Sequence, residues 1–157
     1  MVYVFIAVAL FISDSIIKYV VEKDKISEKV REKINNKIVL KKYHNKGAML
    51  DIGASKQYIV AVISLIFTVF MSGVFLATLG YKGKKTLKVG LALILGGAYC
   101  NTYDRIRRKY VVDYISFKVK SKYKVLNRFG EIVFNISDFG IIIGSVLLVV
   151  GESINIK

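Results

Sequence analysis

The chain has 157 residues, 54% of them hydrophobic, with a mean hydropathy of +0.48 and a formal charge of +14. That length holds one domain, 1–157. So apolar a chain with 25 Lys and Arg against 11 Asp and Glu is not an ordinary soluble domain; it fits a membrane protein whose charge is confined to its loops.

Residues 2–21 are apolar except for Asp14 and Lys18, four apart, which one helix face can pair. No basic region precedes this run and no small-x-small cleavage site follows it, so a retained span is expected rather than a cleaved signal peptide. The connection 22–57 holds ten basic and five acidic residues. Its first half places Ile26, Val30 and Ile34 on one helical face. Residues 37–43 then read as a short strand around Ile38-Val39-Leu40, and His44-Asn45-Lys46-Gly47 reads as a turn. Residues 58–79 are long enough to cross roughly 30 Å of hydrocarbon as a helix. A short loop, 80–85, is rich in Lys and Gly. The next span, 86–104, reaches full length only if Lys88 snorkels to the interface.

That third span closes on Gly96-Gly97-Ala98-Tyr99-Cys100-Asn101-Thr102-Tyr103-Asp104-Arg105. The small residues allow close backbone approach. Asn101, Asp104 and Arg105 share a face at the membrane edge, either as a site or as a helix end with a local Asp–Arg pair. Cys100 is the only cysteine and His44 the only histidine, which excludes intramolecular disulfides and a cysteine-cluster zinc site; no metal and no cofactor is expected. The connection 105–131 contains a β-prone run, Tyr110 to Phe117, in which Asp113 points to the same side as Val111 and Ile115. Residues 132–151 form the fourth span, entered through Phe134-Asn135-Ile136-Ser137-Asp138. Asn135 and Asp138, three apart, share a helix face and need partners elsewhere in the bundle. Gly140 and Gly144 form a GxxxG pair, read equally as a packing device or as chance.

The expected fold is a mainly α membrane protein, with four transmembrane helices and a small β-containing subdomain formed by the first and third loops. Charge orients it poorly: the middle loop and its flank carry four lysines and no acid, a cytoplasmic signature, but the opposite side carries ten plus nine basic residues. Neither basic region has a nucleic-acid-binding motif or the size of a domain, so no nucleic-acid partner is expected. A carboxylate at membrane depth costs several kcal/mol and is rarely kept without a function. Asp113 and Asp138, if they meet, make a pair sharing one proton that can activate water.

The ordered set Asn45-x-Gly47-Ala48, the Gly96–Arg105 run, Val-Val-Asp113-Tyr-Ile and Phe-Asn-Ile-Ser-Asp138, with the Asp14…Lys18 pair, resembles the lipoprotein signal peptidase (signal peptidase II) family over nearly the whole chain. The resemblance implies an intramembrane aspartyl endopeptidase of the bacterial cell membrane. It would cleave diacylglyceryl-modified prolipoproteins just before the lipidated cysteine and would bind globomycin-type inhibitors. Its catalytic residues would be Asp113 and Asp138. Asn101, Asp104, Arg105 and Asn135 would form the polar shell, with Asp14, Lys18, Asn45 and Gly47 supporting or facing substrate. It would act as a monomer in contact with membrane lipids, with the β-containing subdomain and active site extracytoplasmic and both termini cytoplasmic. Cys100, Met49-Leu50, Ser137 and Phe139 depart from the family pattern and bear on substrate range and inhibitor fit. The rival readings are a small proton-coupled transporter using Asp14, Asp104 and Asp138 as relays, and a non-catalytic membrane assembly factor.

Overall fold

Long apolar runs with no proline make helices the dominant elements. A computed structural model describes residues 1–23, 31–34, 38–48, 52–118, 122, 130 and 132–154. Among the described residues the helices are α1 (Val2–Lys23), α2 (Gln57–Leu79), α3 (Lys85–Arg108) and α4 (Ile136–Ile154). A single 3-10 turn, Ala54–Lys56, leads into α2. Four short strands, β1 (Arg31–Ile34), β2 (Ile38–Asn45), β3 (Val111–Phe117) and β4 (Val133–Phe134), form an antiparallel sheet in the order β1-β2-β3-β4.

Helix α3 is the hub, packing against α1, α2 and α4. Small residues let it do so. A Cβ on Gly144 would stand 2.5 Å from the carbonyl oxygen of Gly90, and one on Gly96 would stand 2.6 Å from that of Ala7. The Gly140–Gly144 pair is therefore a packing device: the backbones of α3 and α4 touch where side chains would hold them apart. Met71, Phe75, Leu91, Ala92, Ile94 and Leu95 form the apolar core between α2 and α3.

The outward faces of α1 and α2 are apolar too. Phe5, Ile12, Ile16, Ile63, Ile66, Val69 and Phe70 are all exposed. So large an unpaired apolar surface belongs in lipid. Val2–Lys23 and Ala54–Leu79 are each long and apolar enough to cross a membrane, and α4 adds a shorter apolar stretch, Ile136–Gly151. The chain is a membrane protein.

Several local expectations are corrected. Ile34 lies in β1, not on a helical face, while Ile26 and Val30 lie outside the described residues, as do Lys37, Met49 and Leu50. The strand expected at 37–43 runs on through His44 and Asn45; only then does the chain turn, with Gly47 N–H donating to Asn45 Oδ1 at 3.1 Å. The fourth helix starts at Ile136, because residues 133 and 134 pair with β3 first. Lys88 is buried and donates to the carbonyl oxygens of Tyr81 (2.5 Å) and Leu79 (3.5 Å), at and just beyond the C-terminal end of α2. Unpaired carbonyls at a helix end attract an ammonium.

Candidate active site

Lys109 ends α3 in the left-handed region (φ 69°) and turns the backbone directly into β3. Register then pairs Tyr43 of β2 with Asp113. Asn45, two residues along β2 and so on the same face, reaches Asp113 diagonally. Asn45 Nδ2 donates to Asp113 Oδ2 at 3.0 Å.

Asp138 is placed by the start of α4. Asp138 N–H donates to Asn135 Oδ1 at 2.9 Å, and Asn135 N–H donates to Asp138 Oδ2 at 3.0 Å. This reciprocal pair is a capping box, with Asn135 at the N-cap and Asp138 three residues on. The sequence spacing of three thus marks a helix start, not a shared helical face. Asn135 also turns its amide outward: Nδ2 donates to Asp113 Oδ1 at 2.6 Å. One asparagine holds both carboxylates.

All four carboxylate oxygens of the pair accept an N–H. Besides the three from Asn45 and Asn135, Asn101 Nδ2 donates to Asp138 Oδ1 at 2.9 Å. Every one of these donors is a neutral amide. Positive charge stands one residue back: Lys18 Nζ donates to Asn101 Oδ1 at 2.7 Å, which commits the Asn101 amide nitrogen to Asp138. Asp113 is buried, whereas Asp138 is partly exposed. Burial, and then the negative charge of Asp138, push the Asp113 carboxyl from 3.8 up to about 7.

Behind the pair lies a second polar layer. Lys18 Nζ sits 2.8 Å from Asp14 Oδ2 and 3.1 Å from Asp104 Oδ2, all three side chains being buried. The expected Asp14–Lys18 pair forms. The local Asp104–Arg105 pair, the alternative to a site at this helix end, does not. Asp104 turns to Lys18 and, at 3.5 Å, to Arg108. Arg105 instead donates to the carbonyl oxygens of Gly47 (3.1 Å) and Asn101 (3.3 Å), clasping the loop after β2 to the end of α3. Its charge acts on Asp138 and Asp113 without touching either. The structure thus gathers Asp14, Lys18, Asn45, Gly47, Asn101, Asp104, Arg105, Asn135, Asp113 and Asp138 into one connected region.

Sequence reasoning missed Tyr114, whose hydroxyl donates to Asp14 Oδ1 at 2.7 Å. It also treated Cys100 and Ser137 only as departures. Both donate to Asp14 Oδ2, at 3.3 Å and 2.5 Å. An acid with no exposed surface must collect donors from every neighbouring element, and that need was the available signal.

Residues 6–154 match the family described as signal peptidase (SPase) II. A lipoprotein signal peptidase of Halothermothrix orenii is 33% identical over 149 residues, covering 95% of this chain and 92% of that protein. Two solved structures, each of a bacterial membrane enzyme obtained by the in meso method, share the fold. One has a TM-score of 0.82 at 23% identity, covering 99% of this chain and 90% of that one. The other has a TM-score of 0.76 at 22% identity, with 96% and 92% covered.

Proposed function

The chain belongs to the signal peptidase II family, and from that premise we propose an aspartic endopeptidase that removes the signal peptide from diacylglyceryl-modified prolipoproteins, cutting before the lipidated cysteine. The observation that carries the aspartic assignment is Asn135, which bonds to Asp113 and Asp138 at once.

In this reading the two carboxyls share one proton at neutral pH. Asp138 is the ionised member: it sits in the first turn of α4, where the helix dipole favours negative charge, and it is the less buried of the two. Asp113 holds the proton. Asp138 takes a proton from water as the oxygen attacks the scissile carbonyl carbon, while Asp113 gives its proton to the carbonyl oxygen. The tetrahedral intermediate then collapses. The proton held on Asp138 passes to the leaving nitrogen, the new carboxyl group returns one to Asp113, and the pair is reset. Arg105 holds the loop after β2 at Gly47, Asn45 holds Asp113, and Lys18 fixes the Asn101 amide.

We place all four helices across the bacterial cell membrane (2–21, 58–79, 86–104 and 132–151), within one domain spanning 1–157. The sheet and the aspartate pair lie on the extracytoplasmic side and both termini are cytoplasmic. The substrate's diacylglyceryl group then enters sideways from the outer leaflet. A globomycin-type cyclic peptide competes for the aspartate pair, and one chain suffices as a monomer because it supplies every residue of the pair's shell.

Asp113→Asn and Asp138→Asn test the assignment. Each keeps the size of the native side chain and one of its two acceptor oxygens, so the protein folds, yet prolipoprotein cleavage falls by about 1,000-fold or more. Turnover retained in either variant rejects the aspartic mechanism. Proton-coupled flux in liposomes without a peptide product points to the transporter reading instead.

A further inference from the structure

One hydroxyl joins three elements at the back of the aspartate pair. Tyr114 follows Asp113 in β3 and is buried. Its O–H donates to Asp14 Oδ1 of α1 at 2.7 Å. The same oxygen accepts the backbone N–H of Ile136, the first residue of α4, at 3.2 Å. The first N–H groups of a helix have no partner inside it, so this one is either capped by a side chain or left unpaired. Burial and the neighbouring Asp14 carboxylate hold the phenol in its neutral, donating form.

The consequence for the pair is geometric. Asp113 is carried by the strand that holds Tyr114, and Asp138 by the turn that holds Ile136. Asn135 ties the two carboxylates from the front; Tyr114 ties their backbones from behind. Asp14 has no freedom to follow a displacement, since Lys18, Cys100 and Ser137 also hold it. We propose that Tyr114 is a positioning residue for the proposed peptidase reaction, its hydroxyl fixing the first turn of α4 against β3 so that Asp138 meets Asp113 at one separation. This rests on the aspartic reading above.

Several charged groups bear on Asp113: Asp138 from α4, Lys18 from α1 and Arg105 from α3. Asn45 and Asn135 add neutral donors. Of the charged groups, only Asp138 is held by the turn that Tyr114 caps; Asn135, the N-cap of that turn, also holds Asp113, with an opposite and smaller effect than the Asp138 charge. A looser turn lets Asp138 drift, weakens its push on Asp113 and lets Asp113 lose its proton at lower pH.

The full-length protein in detergent–lipid micelles, assayed on a diacylglyceryl-modified prolipoprotein, tests this with Tyr114→Phe, which keeps the ring and removes the hydroxyl. The expected result is a kcat about 10- to 100-fold lower with KM within about two-fold, and an alkaline limb of the pH–rate profile moved to lower pH. Thr68→Val is the stability control. It deletes a buried hydroxyl shared with Thr102 (3.0 Å) between α2 and α3, and it should leave the pH limb in place. If Tyr114→Phe does not fold, Ile136→Pro cuts the same link from the other side. Proline is tolerated at a helix's first position and removes only the N–H that Tyr114 accepts. It should move the pH limb in the same direction.

A wild-type kcat and pH limb in Tyr114→Phe overturns the proposal. So does a kcat loss that merely parallels lost melting temperature, as in Thr68→Val, with the limb unmoved. Asp113→Asn and Asp138→Asn are run alongside. If they stay active, the aspartic reading fails; if they are dead while Tyr114→Phe is normal, only the positioning role fails.

Discussion

Helix α1 sends two acids toward the sheet, and their surroundings differ in kind. Asp14 has no exposed surface and takes donors from four elements: Lys18 of α1, Cys100 of α3, Tyr114 of β3 and Ser137 of α4. Glu22, two turns on, keeps 27% of its side chain exposed. His44 Nε2 (3.1 Å) and Lys42 Nζ (3.5 Å) of β2 approach it, and Tyr110 O–H donates to it at 2.9 Å. The Tyr110 ring stacks on His44 at 4.1 Å. Both clusters pin α1 to the sheet. Water can replace any partner of Glu22 but none of Asp14's, so the same kind of contact carries different weight at the two sites.

The comparison breaks hardest at Lys18. Lys18→Met removes the ammonium between Asp14 and Asp104 and leaves both acids buried. Loss of one member of a buried ion pair costs about 3–5 kcal/mol. Thermal unfolding in detergent should show a loss of that size, with part of it recovered by adding Asp14→Asn, since the second change removes the stranded charge. An additive double mutant would mean that Asp14 and Lys18 do not act as a unit.

Asn135→Ala comes next. It deletes the cap of α4 and the donor to Asp113 Oδ1 together. The cap contributes about 1 kcal/mol and the unpaired buried oxygen about as much again. Unfolding should register roughly 2 kcal/mol, and turnover should fall far more steeply than stability, because Asp113 loses a direct donor while the turn that seats Asp138 loses its side-chain cap and keeps only the residue-135 N–H.

Acid titration separates the buried region from the exposed one. The Asp113 carboxyl rises from 3.8 in the unfolded chain to about 7 when folded. Between those values the folded protein keeps a proton that the unfolded chain has released, so raising the pH through this window lowers stability. Below pH 3.8 both states are protonated and Asp113 contributes no penalty. Above about 7 both are ionised and the penalty is constant. The rate should fall as pH rises through about 7, when Asp113 loses the proton it donates. A rate level from pH 6 to pH 8 would remove Asp113 from the acid role.

What the sequence made legible follows from length scale. Apolar runs of twenty residues announce α1 and α2, and the acids within apolar sequence announce the site. The strand around Ile38–Leu40 was readable from its β-branched residues. Contacts set by tertiary placement were not. Arg105 lies beside Asp104 in the chain, yet the helix aims them apart, one to Gly47 and one to Lys18. Asn135 and Asp138 have the spacing of both a helix face and a capping box; only β4, which ends at Phe134, decides between them. Tyr114 reads as one more β-prone aromatic until α1 is docked beneath it.

The smallest effect belongs to Glu22, and it tests the comparison from its weak side. Glu22→Gln keeps an acceptor for Tyr110 and removes the charge that Lys42 and His44 face. Exposed pairs of this kind contribute about 0–1 kcal/mol, so unfolding should shift by less than that and prolipoprotein turnover should stay within about two-fold. Salt supplies the second arm. Raising ionic strength from about 0.1 M to 1 M shortens the screening length from about 10 Å to 3 Å, which weakens an exposed pair and scarcely reaches a buried one. The wild type should therefore approach Glu22→Gln in stability as salt rises, while Lys18→Met stays equally far below both. If salt instead closed the gap to Lys18→Met, water would have access to Asp14, and the contrast between the two acids of α1 would be one of distance along the helix rather than of burial.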